Sequence, residues 1–133
     1  MNDLTILLVD DDADAREVIE LMLRASGARV VACASADEAL EAASSHEIDV
    51  IVSDVAMPGK DGLEFMRQLR QRRAGDGGEL PALALTAHAS AHDVSLALAA
   101  GFQRHVAKPV QPSDLITAIA QLAGANRAAK TRS

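Results

Sequence analysis

Aromatic rings are almost missing from this chain, whose 133 residues include two Phe and no Trp or Tyr. A core built without them must be aliphatic, and a surface without them offers no platforms for stacking nucleic-acid bases. Cysteine is reduced to Cys33, which excludes an internal disulfide. No run of about 18 or more apolar residues is present and no signal-peptide pattern opens the chain, so neither a spanning helix nor a membrane partner is expected. Excess positive charge is missing too: 13 Lys and Arg stand against 19 Asp and Glu, a net charge of -6, which removes the basic footprint that phosphate backbones require. A cytoplasmic protein with no direct nucleic-acid partner is the expectation.

What is present suits one globular domain, with 49% hydrophobic and 24% charged residues. Five short β-like runs, at 4–9, 29–33, 49–53, 82–86 and 105–107, alternate with stretches of helical spacing. The first and third, "LTILLV" and "DVIVS", are almost continuously apolar, as strands covered on both faces of a parallel sheet are. The spacing predicts a first helix over 14–26, with Val18, Leu21, Met22 and Ala25 toward the sheet and Gly27 as its stop. Ser35 and Glu38 have capping-box spacing at the start of a second helix that reaches about Ser45. A third follows the turn "MPGKDG" with Leu63, Met66 and Leu69 on one face, and gives way to a glycine-rich "AGDGGE" expected to be a flexible connection. A fourth spans 91–100 before Gly101, and a fifth follows Pro112 and Ser113 with Leu115, Ile116, Ile119 and Leu122 as its stripe. The economical fold is an α/β doubly wound five-stranded parallel sheet with helices on both faces. Residues 1–123 form the expected domain, and 124–133, which lack an apolar stripe, a flexible basic tail or the start of a linker.

Ligands of open α/β sheets collect beyond the carboxyl ends of the strands. There the first strand delivers Asp10, Asp11 and Asp12, the third Asp54, the fourth Thr86 and the fifth Lys108, followed by Pro109. Converging carboxylates repel one another and are relieved by a hard divalent cation, Mg²⁺ above all, with Mn²⁺ as a substitute. A Lys adds a positive charge for an anion and a Thr hydroxyl a hydrogen bond to it. Carboxylates, a cation, a Lys and a hydroxyl around one cavity make a phosphoryl-transfer site, with Asp54 on the central strand as the nucleophile. Asp12 and Asp14 suit the positive end of the first helix, Asp12 facing solvent.

The segments "ILLVDDD", "VIVSDVAMPGKDG", "ALALTAH" and "AKPV", in that order, resemble the receiver domain of two-component response regulators over about residues 4–123. The resemblance implies a flavodoxin-like fold of strand order 2-1-3-4-5. It implies Asp54 as phosphoacceptor, Asp10 and Asp11 as the acidic pair for Mg²⁺ with Asp11 the direct ligand, and the Ala56 carbonyl as a further metal donor. Thr86 becomes the switch hydroxyl, Lys108 the phosphate-pairing lysine, and Pro109 the cis-prone partner of that lysine. The implied partner is a histidine kinase or a histidine phosphotransfer protein. The receiver itself would catalyse transfer and later hydrolysis, a phosphoacceptor more than an enzyme of metabolism, and would switch the face made by the fourth helix, fifth strand and fifth helix. That face supports a monomer or a weak homodimer.

Three positions depart from the common pattern. His105 stands where many receivers carry Tyr or Phe, and is expected to be a half-buried ring in the switch. Ala56 and His88 flank the phosphoryl position and are expected to tune dephosphorylation. A metal pair of His88 and His92 lacks an acidic third ligand, and "GDGGE" lacks the strand and helix of a phosphate loop. The wording of "PALALTAHAS" and "LAAGFQRHVAKPV" is similar to receivers of hybrid sensor histidine kinases, which serve as relay or sink. A metabolic phosphatase with an aspartyl nucleophile would want a second acid where Ala56 stands. A phosphate-independent protein-binding module would have tolerated loss of the acids or of Lys108, and all are present.

Overall fold

The computed structural model describes residues 3–56, 61–87 and 90–132, those from 125 onward by their backbone alone. Strands β1 (Thr5–Val9), β2 (Arg29–Cys33), β3 (Val50–Asp54), β4 (Ala82–Thr86) and β5 (Arg104–Ala107) alternate with helices α1 (Ala13–Ala25), α2 (Ala36–Ser45), α3 (Gly62–Arg70), α4 (Ala91–Ala100) and α5 (Pro112–Arg132). All pairings are parallel and the order is β2-β1-β3-β4-β5, the expected doubly wound sheet.

Alternation along each strand divides the core. Leu7, Val9, Ile51, Ala82 and Ala84 meet α2, α3 and α4 on one face, while Ile6, Leu8, Val50, Val52, Leu83 and Leu85 meet α1 and α5 on the other. Most of these side chains are fully enclosed, and burying each Leu, Ile or Val stabilises the fold by roughly 1.5–3 kcal/mol.

Helix ends follow the local chemistry. Asp12, Ser35, Asp61 and Ser90 each accept backbone N–H groups in the first turns of α1, α2, α3 and α4. Gly101 ends α4 at φ 119°, a conformation that suits glycine.

Two expectations change. The inward face of α1 is Ile19 and Leu23 with half-buried Met22, whereas Val18 and Leu21 are 51% and 63% exposed. The glycine-rich connector holds a 3₁₀ turn at Ala74–Asp76, and Arg70 ties it down by donating to the Gly78 and Gly101 carbonyls. The α5 backbone continues to Arg132, and among its described side chains Leu122 and Ala123 are the last that are buried.

Candidate functional site

The alternation that turns Ile6 and Leu8 toward α1 carries on to Asp10, and that of Val50 and Val52 carries on to Asp54. Adjacent parallel strands therefore aim two carboxylates to the same side at their carboxyl ends. Asp11 follows in the β1–α1 turn, and one carboxylate oxygen from each of Asp10, Asp11 and Asp54 lies within 4.8 Å of the others. Asp10 and Asp54 are buried and Asp11 is exposed, so the cluster opens to solvent on one side. Asp12 is separate: exposed, it caps α1 as expected.

Lys108, just past β5, crosses over to this cluster. Its Nζ lies 3.2 Å from Asp54 Oδ2 and 3.5 Å from Asp10 Oδ2, and the peptide bond to Pro109 is cis. Desolvation alone would lower the Lys108 pKa, but the Asp54 and Asp10 carboxylates outweigh it and hold the ammonium above its ordinary value. Burial lifts Asp10 above the ordinary carboxylate range, and the charge of Asp54 adds to that, against the Asp12 N–H and Lys108, which pull it down. A buried acid lifted in this way has room for a further positive charge. A cluster of three carboxylates opening to solvent is an oxygen donor set that fits a hard divalent cation.

Thr86 ends β4, one residue beyond Leu85, the partner of Asp54 across the sheet. Only 4% exposed, it has a buried Oγ1 with no hydrogen-bond partner among the described residues. Buried hydroxyls are nearly always satisfied, which makes this one a candidate donor for a ligand. The Ala56 N–H donates to Asp54 Oδ1 at 3.2 Å, which places Ala56 at the rim of the site. His88 lies outside the described residues. Gly62, the first residue of α3, donates to the Val55 carbonyl at 2.9 Å, and a Cβ at position 62 would collide with the Asp54 carbonyl oxygen.

His105 departs from expectation in being exposed, because β5 is an edge strand that buries only Val106. It lines an open groove of about 870 Å³ between α4 and α5, beside Val94, Leu98 and Thr117. His105 pairs with Ala84 and Ala107 with Thr86, so His105 and Thr86 face the same side of the sheet two residues apart. The diagonal rests on the β4–β5 register and the exposure of the ring on β5 being the edge.

Sequence reasoning passed over Arg16, whose Nη1 donates to the Asp10 carbonyl at 2.8 Å. Its only signal was a lone Arg six residues after the first aspartate, on a helix face otherwise read for apolar spacing. Cys33 is no participant: burial pushes its thiol up to about 11, which keeps it protonated at neutral pH. A second groove of about 340 Å³, lined by Ala15, Val18, Ile19, Met22 and Val110, runs along α1 to Lys108.

Comparison with known proteins gives this arrangement a lineage. An uncharacterized 14.6 kDa protein of Leptolyngbya boryana is 42% identical over 116 residues, covering 87% of both chains. Sensory/regulatory protein RpfC of Xanthomonas campestris pv. campestris is 31% identical over 91% of this chain, which spans 17% of the length of RpfC. Among solved structures, the receiver domain of sensor histidine kinase PA1611 from Pseudomonas aeruginosa PAO1, with a magnesium ion coordinated in its active site cleft, is 34% identical at a TM-score of 0.83, covering 91% of this chain and 98% of that one. The family model described as the response regulator receiver domain matches residues 6–120. The chain belongs to that family, the receiver domains of two-component signalling, and Asp10, Asp11 and Asp54 form its acidic pocket.

Proposed function

We propose that the chain accepts a phosphoryl group on Asp54 from a phosphohistidine of a histidine kinase or histidine phosphotransfer protein. The observation that carries this reading is the Asp54 carboxylate held 3.2 Å from the Lys108 ammonium inside a cluster of three acids. In the forward step an Asp54 oxygen attacks phosphorus, the P–N bond breaks, and the imidazole, already protonated at its other ring nitrogen, leaves neutral. An acyl phosphate results. In the return step water attacks phosphorus, the P–O bond to Asp54 breaks, and inorganic phosphate leaves. Lys108 pairs with the phosphoryl oxygens, and the unpartnered Thr86 hydroxyl donates to one of them.

Asp10, Asp11, Asp54 and the Ala56 carbonyl are the groups assigned to Mg²⁺, or to Mn²⁺ in its place. Bound there, the cation neutralises charge that builds on the transferring group. Phosphorylation adds roughly 1.5 to 2 negative charges, and Thr86, moving toward them, shifts the α4-β5-α5 face through its diagonal neighbour His105. Ala56 and His88 are the positions assigned to the rate of hydrolysis. Residues 1–123 act as the receiver and 124–133 as a tail. The likeness to PA1611 and RpfC supports, as a second reading, a relay or sink role beside a kinase.

Incubation with Mg²⁺ and acetyl phosphate, followed by intact and peptide mass spectrometry, tests the reading. One phosphoryl group on Asp54, absent from Asp54→Asn, is expected. A folded parent that remains unmodified and binds no beryllofluoride overturns it and leaves a phosphate-independent binding module.

A further inference from the structure

We propose that Arg16 is a positioning residue for the cation-binding carboxylates, an inference that rests on the metal assignment just made. Asp10 is anchored at four points. Its N–H donates to the Cys33 carbonyl at 3.2 Å. Its Oδ1 accepts the Asp12 N–H at 3.0 Å and its Oδ2 meets Lys108 Nζ at 3.5 Å. Its carbonyl oxygen, one residue past the last pair of the β1–β3 ladder, accepts Arg16 Nη1 at 2.8 Å. The first two anchors are backbone groups and the third belongs to the phosphate-pairing lysine. The fourth is a long side chain sent back from the first turns of α1.

That anchor controls direction. The Asp10 carbonyl belongs to the peptide that joins Asp10 to Asp11, so a donor fixed on it sets the plane from which the Asp11 backbone departs. Asp10 is held by its own buried carboxylate, but Asp11 is exposed and has no such hold on its side chain. Among the described residues Arg16 makes no ion pair with Asp10, Asp11 or Asp54. Its guanidinium is spent on a carbonyl, and the carboxylates remain open to a cation.

Two effects of Arg16 on a bound cation oppose one another. Its charge repels the cation across a solvent-open site, where repulsion is screened. Its hydrogen bond orients the ligands, and losing a group that orients metal ligands typically weakens affinity about 10- to 100-fold. Orientation wins on these magnitudes, so removing a positive charge should loosen a cation, the reverse of what charge alone dictates.

Mn²⁺ binding read by electron paramagnetic resonance, with Mg²⁺ as competitor, tests this on the parent, Arg16→Met, Arg16→Gln and Arg16→Lys. Arg16→Met should raise both dissociation constants about tenfold, the low end of that range. Arg16→Lys, which restores a charged donor, should recover most of the loss. Unchanged or tighter binding in Arg16→Met overturns the proposal even where its melting temperature falls, because that is the behaviour of a merely structural arginine. Should Arg16→Met not fold, Arg16→Gln carries the same criterion: weaker binding supports the proposal and parental or tighter binding overturns it. A parent that binds neither ion overturns the metal assignment and this inference together, whereas a parent that binds and variants that match it overturn this inference alone.

Discussion

The Lys108 ammonium reaches from the end of β5 past β4 to Asp54 on β3, 3.2 Å away, and to Asp10 beyond β1, 3.5 Å away. One cation thus joins the outermost strand to the two in the middle of the sheet.

Replacing Lys108 by Met should change the pH dependence of folding. The pKa of Asp10 is already raised by burial, so its contribution is fully present below the ordinary carboxylate value and is lost as pH rises through the raised one. Without Lys108 the Asp10 carboxyl rises further and that loss grows. At pH 7 the variant should be less stable than the parent by about 1–3 kcal/mol, the scale of an ionic hydrogen bond left unmade. At pH 3, below the ordinary carboxylate value, Asp10 is protonated and the difference should shrink. Urea denaturation at both values checks this, and parallel profiles would refute it. In the parent, Lys108 with its raised pKa contributes stability that persists up to the ordinary lysine range and is lost above it.

Mg²⁺ should stabilise the fold against heat at pH 7. At a concentration of 100 times its dissociation constant the gain is about 2.7 kcal/mol. Asp11→Asn should remove most of it, since one of the three clustered carboxylates is then neutral. Near pH 3, below the ordinary carboxylate value, the gain should shrink in the parent too, because the lifted Asp10 carboxyl holds its proton against the cation. Calorimetric scans with and without Mg²⁺ read both effects.

Thr86→Val removes a hydroxyl that has no partner among the described residues, so stability should stay the same or rise by up to about 1 kcal/mol. The response to beryllofluoride should suffer instead. Amide shifts at His105 and its β5 neighbours, clear in the parent, should be lost, as heteronuclear NMR would show. A stability loss above about 1 kcal/mol would mean that the hydroxyl is already satisfied.

On α1, Leu21→Glu and Leu23→Ala should behave oppositely. Leu21 is 63% exposed, and a change there should stay within about 0.5 kcal/mol. Leu23 is fully enclosed, and truncating it should cost about 2–5 kcal/mol. Denaturant midpoints distinguish them, and equal shifts would contradict the orientation of the helix.

That helix marks where the sequence ceased to be legible. Strand ends were legible because apolar runs stop at polar residues, and this led to Asp10, Asp54, Thr86 and Lys108 together. Caps were legible because Ser35 and Asp12 act on neighbours within three residues. The α1 face was not, because Val18, Ile19, Met22 and Leu23 offer two overlapping apolar stripes and only packing against β1 and β2 selects one. Arg16 was hidden for a related reason: its hydrogen bond is to a backbone atom, which no side-chain pattern encodes. The exposure of His105 followed from which strand lies at the edge, a property of topology.

Gly62 has a consequence for how this chain can vary. Its N–H is bound to the Val55 carbonyl, and its missing Cβ lets α3 begin against the peptide of Asp54. Val55 and Gly62 are therefore held together beside the acid. A side chain at position 62 would push the start of α3 off the strand end that carries Asp54, so the helix and the acid are tied to vary together.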